Sequence, residues 1–104
     1  MISRQWRGLA KPDLAESYVQ HLRTETFPAI SRLPGFVSAS IHRRVIPGGI
    51  EFLIVTQWAS LESIRGFAGL DVETAVVPDK VREMMIEFDQ VVRHYEVVQS
   101  GKGE

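Results

Sequence analysis

The sequence predicts an α+β fold of the ferredoxin-like type, a split βαβ arrangement with the element order β-α-β-β-α-β. Three observations predict it. An apolar strand pattern at residues 51–58 runs directly into a helical pattern at residues 60–68. A Pro-Gly-Gly turn at residues 47–49 joins two strand patterns as a hairpin, and strand patterns also open and close the chain. Right-handed crossovers then place the strands in one antiparallel sheet of spatial order 4-1-3-2, with both helices on one face.

The first strand and the first helix are predicted from the N-terminal third of the chain. Residues 2–9 alternate loosely and contain Trp6, which favours a strand. Pro12 suits the first turn of the helix that follows. Pro28 has no amide hydrogen, so we expect this helix to be interrupted near Phe27. The buried stripe of the helix is predicted to contain Ala15, Tyr18, Val19, Leu22 and Ile30.

The remaining elements are predicted from the spacing of apolar residues, which changes between every second residue in strands and every 3.6 residues in helices. Residues 36–46 form the second predicted strand, and residues 51–58 form a third that is apolar on nearly both faces. Ser60 can cap the second helix with its hydroxyl. Pro78 is placed to open a further helix, and residues 90–99 form the predicted last strand. The buried face of that further helix is predicted to be Val81, Met84, Met85 and Phe88.

Composition limits the class of protein. The chain of 104 residues is predicted to be one domain at residues 1–99, followed by a polar tail at residues 100–104 that we expect to be disordered. A net charge of −1 gives no reason to expect a nucleic-acid or anionic-membrane partner. The absence of cysteine excludes disulfides, thiol catalysis and thiolate metal sites. With neither a signal-peptide pattern nor a membrane-spanning pattern, the expected location is the cytoplasm.

The face of the sheet that the helices do not cover is predicted to be apolar. It would carry Leu53 and Val55 of the third strand together with Val91, Tyr95 and Val97 of the last strand. Exposed apolar patches of this kind usually mark interfaces. We therefore expect a homodimer in which two sheets pack face to face.

The first and last strands are predicted to be adjacent, and their register defines a candidate site. A register that places Arg4 opposite Glu96 brings Trp6 opposite His94 on the helix-covered face. Aromatic and flexible side chains gathered there would form a pocket for a small hydrophobic, aromatic ligand. The predicted pocket residues are Trp6, Tyr18, Trp58, Phe67, Met84 and Glu96.

Two residues are predicted to carry chemistry in this pocket. His94 is the candidate general base, since imidazole transfers protons near neutral pH, and Arg4 is the candidate stabiliser of an oxyanion. The alternatives are a strand histidine satisfied by a neighbour, a cross-strand ion pair from Arg4 to Glu96, and core packing for the tryptophans. His21 is expected to be exposed, and His42 is expected at a strand edge. Because the three histidines lie on distant elements, no metal site is predicted.

Three segments of the chain follow a known family pattern in order: the LPGF entry to the second strand at 33–36, the run VTQWASLESIRGF at 55–67 and FDQVVRHYEV at 88–97. With these segments the chain resembles the antibiotic-biosynthesis-monooxygenase-like family of dimeric α+β barrel proteins. The resemblance implies the dimeric barrel and a choice among the activities of the family. These include cofactor-independent oxidation of anthrones and quinols, and haem degradation.

The resemblance favours the first of these activities. The haem-degrading branch requires an asparagine, a tryptophan and a helical histidine, but this sequence has no asparagine and places Phe67 and Val77 at the other two positions. The pocket asparagine of the anthrone-oxidising branch is missing as well. The resulting hypothesis is a cofactor-independent monooxygenase-like enzyme for a small aromatic or quinol-type substrate, with no cofactor and no metal. The alternatives are a non-catalytic dimeric protein that binds a small molecule, and a lyase or isomerase on the same scaffold.

Overall fold

A computed structural model describes residues 1–103, which form one antiparallel sheet covered by helices on a single face. The spatial order of the strands is β2-β3-β1-β4, and β5 also pairs with β1. This is the predicted 4-1-3-2 order with the last strand divided in two, so the predicted α+β ferredoxin-like fold is confirmed. The strands are β1 (Ile2–Ala10), β2 (Phe36–Ile46), β3 (Gly49–Trp58), β4 (Met85–Phe88) and β5 (Arg93–Glu96).

The helices differ in regularity. After a 3₁₀ turn at Pro12–Leu14, α1 (Ala15–His21) leads into a π-helical segment at Leu22–Thr26 and then into α2 (Phe27–Ile30). The amide of Phe27 donates to the carbonyl of Leu22, five residues earlier. The interruption predicted from Pro28 is therefore a widened turn, because proline cannot supply the next α-helical amide. The other helices are α3 (Leu61–Ala68) and α4 (Asp79–Arg82).

The central hairpin and the junction after it agree with the sequence prediction. In β2 and β3, Ile46 pairs with Gly49, and Gly48 between them has φ 93°, which suits the second central position of a type II turn after proline. At the other end of β3, the Ser60 hydroxyl accepts a hydrogen bond from the amide of Ser63 at 3.2 Å. The predicted helix cap is thus confirmed.

The prediction for the last quarter of the chain is wrong in two places. Residues 85–88 form strand β4 rather than the last turns of a helix, and the final strand spans only residues 93–96. Met85 still faces the core, at 5% exposure. Strand pairing with the Gly8–Ala10 end of β1 overrides the helical spacing of Met84, Met85 and Phe88.

The predicted register of the last strand is also wrong, by two residues. Arg4 pairs with His94, and Ile2 pairs with Glu96. The pairing with β1 also changes at a bulge between β4 and β5: Gly8 pairs with Phe88, whereas Arg4, four residues earlier, pairs with His94, six positions later. The extruded residues pair instead with the preceding loop through the bridge between Thr74 and Val91. A shift of two preserves the side-chain face, so His94 and Arg4 remain on the helix-covered side.

The two faces of the sheet differ in burial. On the covered face, Phe52 and Trp58 are fully buried, and Ile54 and Trp6 are nearly so. On the opposite face, Leu53 and Tyr95 are 36% and 50% exposed.

The sequence predicts one domain at residues 1–99 and a disordered tail at residues 100–104. Residues 100–103 are exposed and have no regular secondary structure. The predicted disordered tail also includes Glu104, which lies outside the described residues. Within residues 1–103, no helix is long and apolar enough to cross a membrane.

Candidate functional site

A cavity of about 540 Å³ lies between the covered face of the sheet and the helical elements. Strands β1 and β3 provide one wall, the helical segment from α1 to α2 provides another, and the loop before α4 closes a third. Most of its walls are apolar. The large apolar side chains that line it include Trp6, Tyr18, Phe27, Ile54 and Phe67.

The structure brings together part of the predicted site. Arg4, Trp6, Tyr18 and Phe67 all line the cavity. His94 does not line the cavity itself, but it contacts Arg4.

The other predicted pocket residues lie outside the lining. Trp58 is packed in the core, in contact with the rings of Phe36 and Phe67. Met84 is a core residue that borders an outer groove. Glu96 is exposed at the end of β5.

The aromatic wall of the cavity is held by specific contacts. The Trp6 ring lies 6.1 Å from the Tyr18 ring, and Tyr18 meets Phe52 edge-on at 4.9 Å. The indole N–H of Trp6 donates to the carbonyl of Asp89 at 2.9 Å. Burial raises the pKa of the Tyr18 hydroxyl, which therefore stays protonated. These contacts hold the aromatic rings of the wall in place.

Arg4 is the charged group of this wall. It is only 4% exposed, yet it lines the cavity. Its Nη1 donates to the carbonyl of Val72 at 2.5 Å, and its Nη2 donates to the carbonyl of Thr74 at 3.3 Å. Its guanidinium carbon lies 5.5 Å from the ring centroid of Phe67, a cation–π distance. These contacts fix the guanidinium plane and hold the loop that closes the cavity.

The charge of Arg4 has no anionic partner among residues 1–103. None of the ion pairs of this part of the chain includes it. Burial lowers the pKa of Arg4 to about 10, so it remains a cation at neutral pH. Its Nε has no protein acceptor there either, and no buried side-chain nitrogen of the described residues lacks a partner. The Nε–H of Arg4 must therefore be accessible, and the open space next to Arg4 is the cavity. A buried, unneutralised cation at a cavity wall is a site for an anionic group.

His94 supports Arg4 in this arrangement. Its Nε2 lies 2.9 Å from Nη1 of Arg4, and because a guanidinium can only donate, Nε2 must be the acceptor. Burial, and next the charge of Arg4, lower the pKa of His94, while Glu73 opposes the shift. The imidazole is therefore neutral, with the hydrogen on Nδ1.

The lowered pKa of His94 predicts a pH-dependent stability. Between its ordinary value of 6.5 and its lower folded value, the unfolded chain binds more protons, so the free energy of unfolding falls as pH drops through this window. We expect His94→Gln to flatten this dependence between about pH 7 and pH 5, because glutamine can still accept from Arg4 without titrating.

Urea unfolding at a series of pH values measures this effect. His42→Gln is the matched control, since His42 is exposed on β2 and its side-chain hydrogen bond within residues 1–103 is to the Ser40 hydroxyl. Equal slopes for wild type and His94→Gln would show that His94 is not held neutral.

The sequence prediction missed a polar cluster at the rim of the cavity. His21 was expected to be exposed, but it is 7% exposed and lines the cavity with Glu25 and Lys80. That expectation is wrong: His21 contacts Glu25, and Glu25 is in turn bonded by Lys80 of α4, whose Nζ lies 3.0 Å from its carboxylate. The available signal was the spacing of His21 and Glu25 by four residues, which places them on one side of a helix. Among residues 1–103, no group of three or more potential ligand side chains could hold a metal ion.

Comparison with known proteins identifies the fold. No protein-family model and no curated protein matches the sequence. A Deinococcus radiodurans protein assigned as an antibiotic biosynthesis monooxygenase is 15% identical with a TM-score of 0.69, and the match covers 100% of this chain and 99% of the other. The Streptomyces nogalater cofactor-independent oxygenase SnoaB is 14% identical with a TM-score of 0.64, and that match covers 95% of this chain and 94% of the other.

A haem-degrading protein from Mycobacterium tuberculosis shares the same fold. It is 18% identical with a TM-score of 0.62, and the match covers 99% of this chain and 98% of the other. The resemblance places Phe67 and Val77 at the positions where the haem-degrading branch requires a tryptophan and a histidine. Both residues line the cavity, and neither carries a ligand atom for iron. The resemblance predicted from the sequence is confirmed at the level of the fold, and this chain has the α+β fold of the antibiotic-biosynthesis-monooxygenase-like proteins.

Proposed function

We propose that the cavity is the active site of an oxygenase that oxidises small phenolic or anthrone-type compounds without a bound cofactor. The observation that carries the proposal is the buried guanidinium of Arg4, which faces an aromatic cavity and has no carboxylate partner within residues 1–103. Flat apolar walls suit a polycyclic aromatic ring, and the cation suits an oxygen that becomes negative when the substrate loses a proton. SnoaB, whose fold this chain shares, is described as a cofactor-independent oxygenase.

The proposed chemistry uses the substrate as its own source of electrons. Loss of a proton gives an anion whose negative oxygen accepts hydrogen bonds from the free N–H groups of Arg4. The electron-rich carbon then adds O₂ to form a hydroperoxide, which loses water and leaves a carbonyl. One atom of O₂ enters the product, and the other leaves as water. The protein contributes orientation, exclusion of water and stabilisation of the anion.

His94 acts through Arg4 in this proposal. Its lone pair on Nε2 is occupied by the guanidinium, 2.9 Å away, which favours a positioning role over the base role hypothesised from the sequence. Arg4 is the group that contacts the substrate.

Oxygen uptake tests the proposed function. We expect the wild type to consume O₂ with 1,8-dihydroxyanthrone or a naphthohydroquinone faster than the uncatalysed autoxidation. Arg4→Met is expected to lose this rate, while Arg43→Met is not, because Arg43 is an exposed arginine of β2 paired with Glu16. Ligand binding without any catalysed uptake across the panel would contradict the oxygenase and would favour a small-molecule binding protein.

We also infer that the open face of the sheet forms a homodimer interface. Leu53 and Tyr95 are exposed on this face, at 36% and 50% respectively. Apolar side chains on a sheet face are stabilised when another apolar surface covers them. The sheet-to-sheet packing of a dimeric barrel would provide that surface.

Light scattering measures the assembly. The wild type is expected at twice its 11.7 kDa chain mass, and Leu53→Asp is expected to shift it toward 11.7 kDa, because removing a carboxylate from water into the interface is costly. Leu70→Asp is the matched control, since Leu70 is 90% exposed and lies outside the sheet. A wild type that is monomeric at high concentration would rule out the dimer.

A further inference from the structure

His21 and Glu25 form a carboxylate–imidazole pair in the wall of the cavity. Nδ1 of His21 lies 3.2 Å from Oε2 of Glu25, and the same carboxylate oxygen lies 3.0 Å from Nζ of Lys80 on α4. His21 is 7% exposed, so the surrounding helices fix the position of its ring. The pair is built from the end of α1 and the π-helical segment that follows it.

The other ionisable groups of the cavity wall are poorly suited to accept a proton. They are Arg4, Tyr18, Glu25 and Lys80. Arg4 and Lys80 are cations, and Tyr18 keeps its proton because burial raises its pKa. The hydrogen bond from Lys80 is the main cause that lowers the pKa of Glu25, which makes its carboxylate a weak base. Among the described residues, His21 is thus the ionisable group of the lining that can offer a free lone pair to a proton.

The contact with Glu25 determines which nitrogen of His21 is free. A carboxylate can only accept, so Nδ1 carries the hydrogen, and in the neutral imidazole Nε2 is the nitrogen with the lone pair. Nε2 has no hydrogen-bond partner among residues 1–103, and none of the buried side-chain nitrogens of that range is unpartnered, so Nε2 is accessible. His21 borders both the cavity and the outer groove between α1 and α4. The imidazole therefore stands between the ligand space and solvent.

We propose that His21 is the general base of the cavity, oriented by Glu25, and that it takes the proton whose loss turns the substrate into an anion. This inference rests on the proposed function for its substrate class. The proton moves from the substrate to Nε2, and the imidazolium is stabilised by the carboxylate of Glu25. After O₂ adds, the imidazolium returns this proton to the peroxide oxygen. Neutral His21 then accepts the second proton from the carbon as hydroxide leaves the hydroperoxide. This proton and the hydroxide combine and are released as water.

Hydrogen–deuterium exchange without oxygen tests this role separately from the oxidation. In oxygen-free D₂O, NMR follows the loss of the CH₂ protons of anthrone. We expect the wild type to accelerate exchange, His21→Gln to slow it roughly 100-fold or more, and Glu25→Gln to slow it less. His42→Gln is the matched control and should exchange like the wild type.

Two further measurements separate a base from a merely structural histidine. Added imidazole should partly restore exchange in His21→Ala, because a small base can enter the space left by the ring. The dissociation constant of 2-naphthoate should change less than threefold in His21→Gln. Exchange that is unaffected by His21→Gln, or a wild type no faster than buffer, would overturn the inference. Fast exchange dependent on His21 with no oxygen uptake would overturn the oxygenase and leave the base in place.

Discussion

Arg4→Met is expected to weaken the binding of 2-naphthoate by roughly 30-fold or more, while the affinity for its neutral isostere 2-naphthamide changes little. Removing one partner from a buried, hydrogen-bonded charge pair costs on the order of 2–5 kcal/mol, and 2 kcal/mol corresponds to about 30-fold. Arg4 is 4% exposed and has no carboxylate partner within residues 1–103, so a ligand carboxylate would be its first anionic neighbour. Titration calorimetry with both ligands measures the difference.

Comparing the two ligands also separates the loss of the Arg4 charge from a loosening of the loop that Arg4 holds in place. Arg4 holds the carbonyls of Val72 and Thr74, so its loss could loosen the loop that closes the cavity. A loosened loop would weaken both ligands equally, whereas loss of the cation weakens only the anion. Arg43→Met controls for the change in net charge. Equal affinities of the wild type for the two ligands would remove Arg4 as an anion site.

Trp58→Ala is expected to lower the free energy of unfolding by about 3–5 kcal/mol, the usual range for deleting a large buried aromatic side chain. Trp58 is 0% exposed. Its ring packs edge-on against Phe36 at 5.4 Å and stacks with Phe67 at 6.0 Å. Its indole N–H donates to the hydroxyl of Thr56 at 2.9 Å. The substitution therefore removes packing between β3, β2 and α3 at once.

Urea unfolding of matched variants measures this loss. Trp58→Phe keeps most of the aromatic volume and should lose clearly less, while Leu70→Ala, at a position 90% exposed, should stay within about 0.5 kcal/mol of the wild type. We also expect Trp58→Ala to weaken naphthoate binding, because Phe67 covers the guanidinium of Arg4. A stability loss under about 1 kcal/mol would contradict the packing described for this core.

The parts of the fold that depend on local pattern could be predicted from the sequence. The strand and helix on either side of Ser60 follow from the change of period, and the hairpin follows from the turn chemistry at Pro47 and Gly48. The strand order follows from the handedness of the crossovers. Each of these features is determined by residues close together in the chain or by a general rule of topology.

The parts that depend on distant pairing could not. Met85 has helical spacing with Val81 and Phe88, but its place in β4 is determined by pairing with β1. The bulge between β4 and β5 depends on pairing with the loop at Thr74, which no local signal in the sequence marks. The predicted ion pair from Arg4 to Glu96 depended on that register.

The candidate site shows the same division between local and distant information. Trp6, Tyr18 and Phe67 were predicted from their faces, and Arg4 from its strand, and all four line the cavity. The polar cluster at His21 includes the bond from Lys80 of α4 to Glu25, a contact between residues far apart in the sequence. The pairing of Arg4 with His94 in place of Glu96 likewise depends on the register of two strands far apart in the sequence.

A crystal structure of the chain with 2-naphthoate tests the central claim most directly. The account predicts the naphthalene ring between Trp6, Tyr18 and Phe67, with a carboxylate oxygen within hydrogen-bond distance of Nε of Arg4. Density for the ligand outside the cavity, or inside it with the carboxylate turned away from Arg4, would contradict the claim that this guanidinium makes the cavity a site for aromatic anions.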